Sequence, residues 1–112
     1  MLEAQLEQKM KKEVEGRGGM FLKWVSPGFT GVPDRIALLP GGRILFVEVK
    51  RPGEKDGRSP RQKRVAFQLK GLGFDVIRAA SLEELRDAIY TARISKVCRG
   101  LYNHASAGRA VS

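Results

Sequence analysis

Residues 31–50 read Gly31-Val32-Pro33-Asp34-Arg35-Ile36-Ala37-Leu38-Leu39-Pro40-Gly41-Gly42-Arg43-Ile44-Leu45-Phe46-Val47-Glu48-Val49-Lys50. Two apolar runs, each too short for a helix, flank Pro40-Gly41-Gly42, a break suited to a tight antiparallel turn. The stretch predicts a hairpin with strands over 34–39 and 43–50. Folding it back brings Asp34 and Glu48 to the same end of a sheet. Alternation along the second strand puts Glu48 and Lys50 on one face and turns Val47 and Val49 to the core.

Upstream, Leu2, Leu6, Met10 and Val14 recur every four residues and predict a helix with one apolar stripe, ended by Gly16, Gly18 and Gly19. Met20 to Val25 is short, apolar and aromatic, and predicts a strand, with Trp24 in the core. Downstream, Ser59 is placed to cap a helix that opens on Pro60, takes its apolar side from Val65, Leu69 and Leu72, and stops at Gly71 and Gly73. Phe74 to Ile77 predicts a fourth strand. Ser81 with Glu84 predicts a capping box for a last helix that buries Leu82, Leu85, Ala88 and Ile89 and runs to about Ala92. The order is αβββαβα, without repeats or an interior linker. The 112 residues divide into one domain over 1–92 and a basic tail over 93–112 that is expected to be flexible or to order on a partner.

The composition narrows the partners. The net charge is +9, and it is clustered: residues 49–64 carry seven bases and two acids, and 93–112 carry four bases and no acid. Such a field suits a polyanion. Phosphate contacts are expected from Arg51, Lys55, Arg58, Arg61, Lys63 and Arg64. No apolar run is long enough for a membrane span, so no membrane partner is expected. The absence of a signal-peptide pattern and the single Cys98 predict a cytoplasmic, intracellular protein.

Two carboxylates and a lysine at one sheet end are the minimum equipment for metal-assisted phosphodiester hydrolysis. A divalent ion held by carboxylates activates water and neutralises phosphoryl oxygens. Hard cations such as Mg²⁺ prefer oxygen donors. The first helix offers a third acid. Glu7 lies at the margin of the apolar stripe and Glu3 in its middle, and a carboxylate there costs free energy unless it is paired or bound to metal. Glu7 is the better candidate and Glu3 the runner-up. Each residue also has an ordinary reading: Asp34 as a loop acid, Glu48 with Lys50 as a surface pair, Glu7 paired with Lys11, Gln62 as a surface amide. The order of acid, hairpin, Glu-x-Lys and basic helix favours the chemical reading.

These motifs resemble a known family. The helix with Glu7, Lys23-Trp24-Val25-Ser26-Pro27-Gly28, Gly31-Val32-Pro33-Asp34, Glu48-Val49-Lys50 and Ser59-Pro60-Arg61-Gln62 are similar to the VRR-NUC domain of the PD-(D/E)xK nuclease superfamily, in the stand-alone form found in bacteriophages and bacteria. The resemblance covers residues 2 to about 91. It implies an α/β, restriction-endonuclease-like αβββαβ core, with a mixed, mainly four-stranded sheet flanked by helices. It implies Mg²⁺ or Mn²⁺ on Asp34, Glu48 and the Val49 backbone carbonyl. It makes Lys50 the catalytic lysine, sets Gln62 beside the scissile phosphate or a water, and has Glu7 complete the acidic cluster. Stand-alone members are similar to Holliday-junction resolvases, which implies a homodimer that cuts branched DNA. The alternatives are a non-catalytic nucleic-acid-binding module on the same fold, a sequence-specific restriction-type endonuclease, and a nuclease for RNA.

Overall fold

The computed structural model describes residues 3–50 and 57–91. The predicted tail over 93–112, with Arg51 and Lys55 of the basic segment, lies outside the described residues. The elements are α1 (Glu3–Gly16), β1 (Met20–Lys23), β2 (Arg35–Leu39), β3 (Arg43–Val49), α2 (Pro60–Gly71) and β4 (Asp75–Ala79). A further helix, α3, covers 82–91. No helix among the described residues is long and apolar enough to cross a membrane.

The hairpin forms as the apolar runs predict. β2 pairs antiparallel with β3 in the register Arg35↔Val47 through Leu39↔Arg43. The connection turns on Gly41 and Gly42, with φ of 83° and 72°, a left-handed conformation that costs glycine nothing and a side chain roughly 1–2 kcal/mol. β1 adds antiparallel to β2, and β4 adds parallel to β3. The sheet order is therefore β1-β2-β3-β4, with β3 inside.

Helices cover both faces. On one, Leu6, Met10 and Val14 of α1 and Leu85 and Ile89 of α3 pack against Ala37, Leu45, Val47 and Val49. On the other, Ala66 of α2 packs with Phe46 and Val76, joined by the half-buried Trp24, Ile36 and Leu69. All of β3 from Leu45 to Val49 is consequently buried, on both faces. Each fully buried Leu or Val contributes about 1.5–3 kcal/mol, so the central strand is held from both sides.

Boundaries shift by a few residues where side chains matter more than pattern. β1 ends at Lys23, and Trp24 lies beyond it, half-buried, with its ring 5.1 Å from that of Phe46. β4 extends to Ala79, because its last residues pair with Glu48 and Val49. Leu72, assigned to the apolar side of α2, is 74% exposed, because the helix ends at Gly71 and Leu72 is its C-cap. The α3 cap differs in one bond. Ser81 Oγ accepts from the Glu84 N–H, but the Glu84 carboxylate reaches back to the Ala80 N–H, one residue further than a capping box requires.

Candidate active site

Strand pairing builds the site. Extending the β2–β3 register one step beyond Arg35↔Val47 sets Asp34 beside Glu48. Parallel pairing sets Arg78 of β4 beside Glu48 on its other side. These three residues share the α2 face, which Ile36, Phe46 and Val76 also occupy. Where the core of that face ends, a cleft of about 180 Å³ opens, lined by Asp34, Glu48, Val49, Lys50, Arg58 and Gln62, together with Glu3, Gly57 and Arg78.

Glu48 is the unusual member. The residue is 5% exposed, and neither carboxylate oxygen has a hydrogen-bond partner among the described residues. The Arg58 guanidinium approaches Oε2 at 3.5 Å, a long ion-pair distance at the edge of hydrogen-bonding reach. Burial pushes the Glu48 carboxyl pKa above the usual carboxylate range. The Asp34 charge pushes the same way, and Arg58 only partly offsets the two.

Asp34 is more open, but its orientation is fixed. Its Oδ2 accepts the Val49 N–H at 3.3 Å, and its backbone carbonyl accepts the Trp24 N–H at 2.9 Å. Its pKa is also raised, first by desolvation and further by the Glu7 charge, against the Val49 hydrogen bond and Arg35. Two neighbouring acids, each paying to be ionised, form a donor set that a cation would relieve.

The two helix acids are placed in the reverse of their sequence ranking. Glu3 lines the cleft. Glu7 does not; its Oε2 accepts from Arg35 Nη2 at 2.6 Å, and β2 alternation carries Arg35 onto the α1 face, opposite Glu48. The Glu7 charge still reaches the site as a field that helps raise the Asp34 pKa. Among the described residues no three His, Cys, Asp or Glu side chains converge as a ready metal cage.

α2 delivers Gln62. Ser59 Oγ accepts the Gln62 N–H at 3.1 Å, and Gln62 Oε1 accepts the Ser59 N–H at 2.8 Å. This reciprocal cap satisfies two backbone donors that the helix start would otherwise strand. It also fixes the amide, leaving Nε2 as the end of Gln62 able to donate to something in the cleft it lines.

Of the expected phosphate contacts, Lys63 and Arg64 are exposed on α2. Arg58 is drawn into the cleft beside Glu48. Arg61 donates from Nε to the Thr30 carbonyl at 3.1 Å and sets its guanidinium over the Phe29 ring, 5.2 Å from the centroid. Arg78 was not among the sequence candidates. Its signal was the alternation of Asp75 to Ala79, legible only once β4 is known to pair in parallel with β3.

Comparison with known proteins places this geometry. No family model matches the sequence. The chain is 48% identical over 75 residues to p44 of Acyrthosiphon pisum secondary endosymbiont phage 1, a protein named as an inferred nuclease, covering 67% of this chain and 78% of that protein. It is also similar to a solved structure described as a VRR_NUC domain, with a TM-score of 0.66 and 32% identity, over 80% of this chain and 97% of the other.

Proposed function

The chain belongs to the VRR-NUC family of nucleases, and from that premise we propose that it is a divalent-metal-dependent endonuclease that hydrolyses phosphodiester bonds in branched DNA, acting as a homodimer. The observation that carries the reading is Glu48: a buried carboxylate with neither oxygen hydrogen-bonded among the described residues, beside a second acid and in one cleft with Lys50. A protein keeps such a group at a cost in stability, and a cation removes the cost.

The donor chemistry fits Mg²⁺ or Mn²⁺. Asp34 and Glu48 would hold the ion with the Val49 carbonyl, and Glu3 is the further acid in the cleft. Hard cations retain several waters, so two carboxylates suffice. When bound, the ion supplies charge neutralisation at the phosphoryl oxygens and a lowered pKa for water. The remaining roles belong to the chain. The Val49 N–H fixes the Asp34 carboxylate. The Lys50 ammonium steadies the phosphate or orients the attacking water. Gln62 Nε2 donates to a phosphate oxygen or to that water. Arg58, and Lys63 and Arg64 on α2, attract the polyanion, so binding weakens with salt. Two copies would present two such clefts to the two strands of a junction.

The test is cleavage of labelled four-way junction in Mn²⁺, with linear duplex and RNA beside it. Cleavage should require metal, stop in EDTA, and fall at least a hundredfold in Asp34→Ala and Lys50→Ala. Undiminished cleavage by Asp34→Ala, or cleavage in EDTA, removes the assignment. Discrete cuts on random plasmid would point instead to a sequence-specific enzyme.

A further inference from the structure

A second recess adjoins the cleft and shares Gln62 with it. It has a volume of about 450 Å³ and is walled by Trp24, Phe29, Val32 and Arg61. An apolar trough of about 590 Å³ continues it along α2 to Leu69 and Leu72. Both volumes are in the range of small-molecule sites. The walls are kept in water at a cost: Phe29 is 46% exposed and Leu72 is 74% exposed.

The recess is built rather than incidental. Arg61 clamps the 29–32 loop through the Thr30 carbonyl and lays its guanidinium over Phe29. Gly31, at φ +88°, lets the loop approach this closely; a Cβ there would meet Arg61 Cγ at 3.0 Å and the Arg61 backbone at 3.2 Å. The wall is thus aromatic and cationic together. Among the described residues no Asp or Glu lines the recess or the trough.

We propose that this recess receives an unpaired nucleobase of the nucleotide next to the scissile phosphate. The proposal rests on the nuclease reading and adds a source for its selectivity. Three observations choose a base over other apolar occupants. The recess meets the phosphate cleft at Gln62, so one nucleotide can span both. Its charge complements an anion, with Arg61 in its wall and Arg58 and Lys50 in the adjoining cleft. Its aromatic surfaces suit base stacking, which tolerates any sequence and is strengthened by arginine. A base held in a duplex must first unstack and unpair, which costs a few kcal/mol. Branch points, gaps and flaps offer unpaired bases without that cost, so the recess turns a stacking contact into preference for DNA structure.

Trp24 is the sole tryptophan and lines the recess, so its fluorescence reports occupancy. The full chain is titrated in EDTA with oligothymidylate, with duplex carrying a single-stranded gap, and with blunt duplex; anisotropy of labelled DNA measures total binding. Saturable quenching is expected with the first two and not with blunt duplex at concentrations that saturate anisotropy. Phe29→Ala should weaken oligothymidylate binding about tenfold, Phe29→Tyr should restore it, and both should bind blunt duplex as the wild type does. Equal quenching by blunt duplex, or unchanged oligothymidylate affinity in Phe29→Ala, overturns the proposal. So does sedimentation showing that Phe29→Ala dissociates a dimer while its oligothymidylate affinity holds, since a second copy would then be the occupant. Because no turnover is involved, quenching without cleavage in Mn²⁺ would sink only the endonuclease assignment. Cleavage without quenching would sink only the recess.

Discussion

Replacing Glu48 with Gln should reverse sign with metal. In EDTA the wild type carries a buried carboxyl group with neither oxygen hydrogen-bonded among the described residues and with the Arg58 guanidinium at 3.5 Å. An unsatisfied buried neutral group costs about 1–3 kcal/mol, and a charged one more. Arg58 returns part of this, but the net effect of the site is still to disfavour ionisation. Glu48→Gln keeps the shape and removes the charge, so a gain of about 1 kcal/mol is expected, or ~4–8 °C in Tm for a domain of this size. With Mn²⁺ at a hundred times its Kd the wild type gains about 2.7 kcal/mol, whereas the variant, having lost a donor, gains little. The variant should therefore melt above wild type in EDTA and below it in Mn²⁺. The pH dependence has a definite sign. A carboxyl raised on folding contributes stability that is fully present below its unfolded pKa and is lost as pH rises through its folded pKa. The EDTA advantage of Glu48→Gln should accordingly vanish in acid, where Glu48 is protonated folded and unfolded, grow as pH rises from the ordinary carboxylate value to the raised one, and level off above it. Thermal melts by circular dichroism across pH, with and without Mn²⁺, measure all of this. A variant that melts below wild type in EDTA, or that keeps the full Mn²⁺ shift, refutes the argument that Glu48 is held for a cation.

Three further outcomes follow from the geometry. Gly31→Ala should destabilise by about 2 kcal/mol or more, since it adds left-handed strain to a Cβ contact at 3.0–3.2 Å with Arg61; denaturant unfolding checks this, and an unchanged midpoint would mean the loop is not held as described. Ser59→Ala removes the acceptor for the Gln62 N–H and should cost about 1 kcal/mol, read as a fall in Tm, with slower junction cleavage if the cap also positions Gln62. Glu13 bridges Arg86 of α3 and Arg17, in the turn just past α1; both lower its pKa, Arg86 first. Its contribution is present above the ordinary carboxylate range and lost as pH falls through the lowered value, the opposite slope to Glu48, so Glu13→Gln should cost about 0.5–1 kcal/mol at neutral pH and flatten the acid side of the stability profile.

What the sequence determined by itself was local. The four-residue spacing of Leu6, Met10 and Val14, the glycine break at 41–42 and the Ser59-Pro60 start each act within a few residues of chain, and each formed where the pattern put it. The hairpin alone sufficed to bring Asp34 and Glu48 to one end, because antiparallel pairing across a short turn leaves little freedom of register. The motifs around those residues were enough to point to the VRR-NUC family.

Tertiary structure decided everything that depends on what covers what. Alternation could assign Glu48 to a face, but only α2 packing over Phe46 and Val76 shows that face to be closed, which makes a solvated carboxylate a buried one. The choice between Glu3 and Glu7 turned on Arg35, which takes Glu7 because β2 presents that arginine to α1. Arg78 entered the cleft through a parallel pairing with a strand 30 residues away in register. Arg61 became a wall for Phe29 because a glycine at residue 31 let the 29–32 loop touch the first turn of α2. These outcomes share one physical cause: desolvation and ion pairing are set by distances between segments remote in the chain, and no periodicity in a linear sequence encodes those distances.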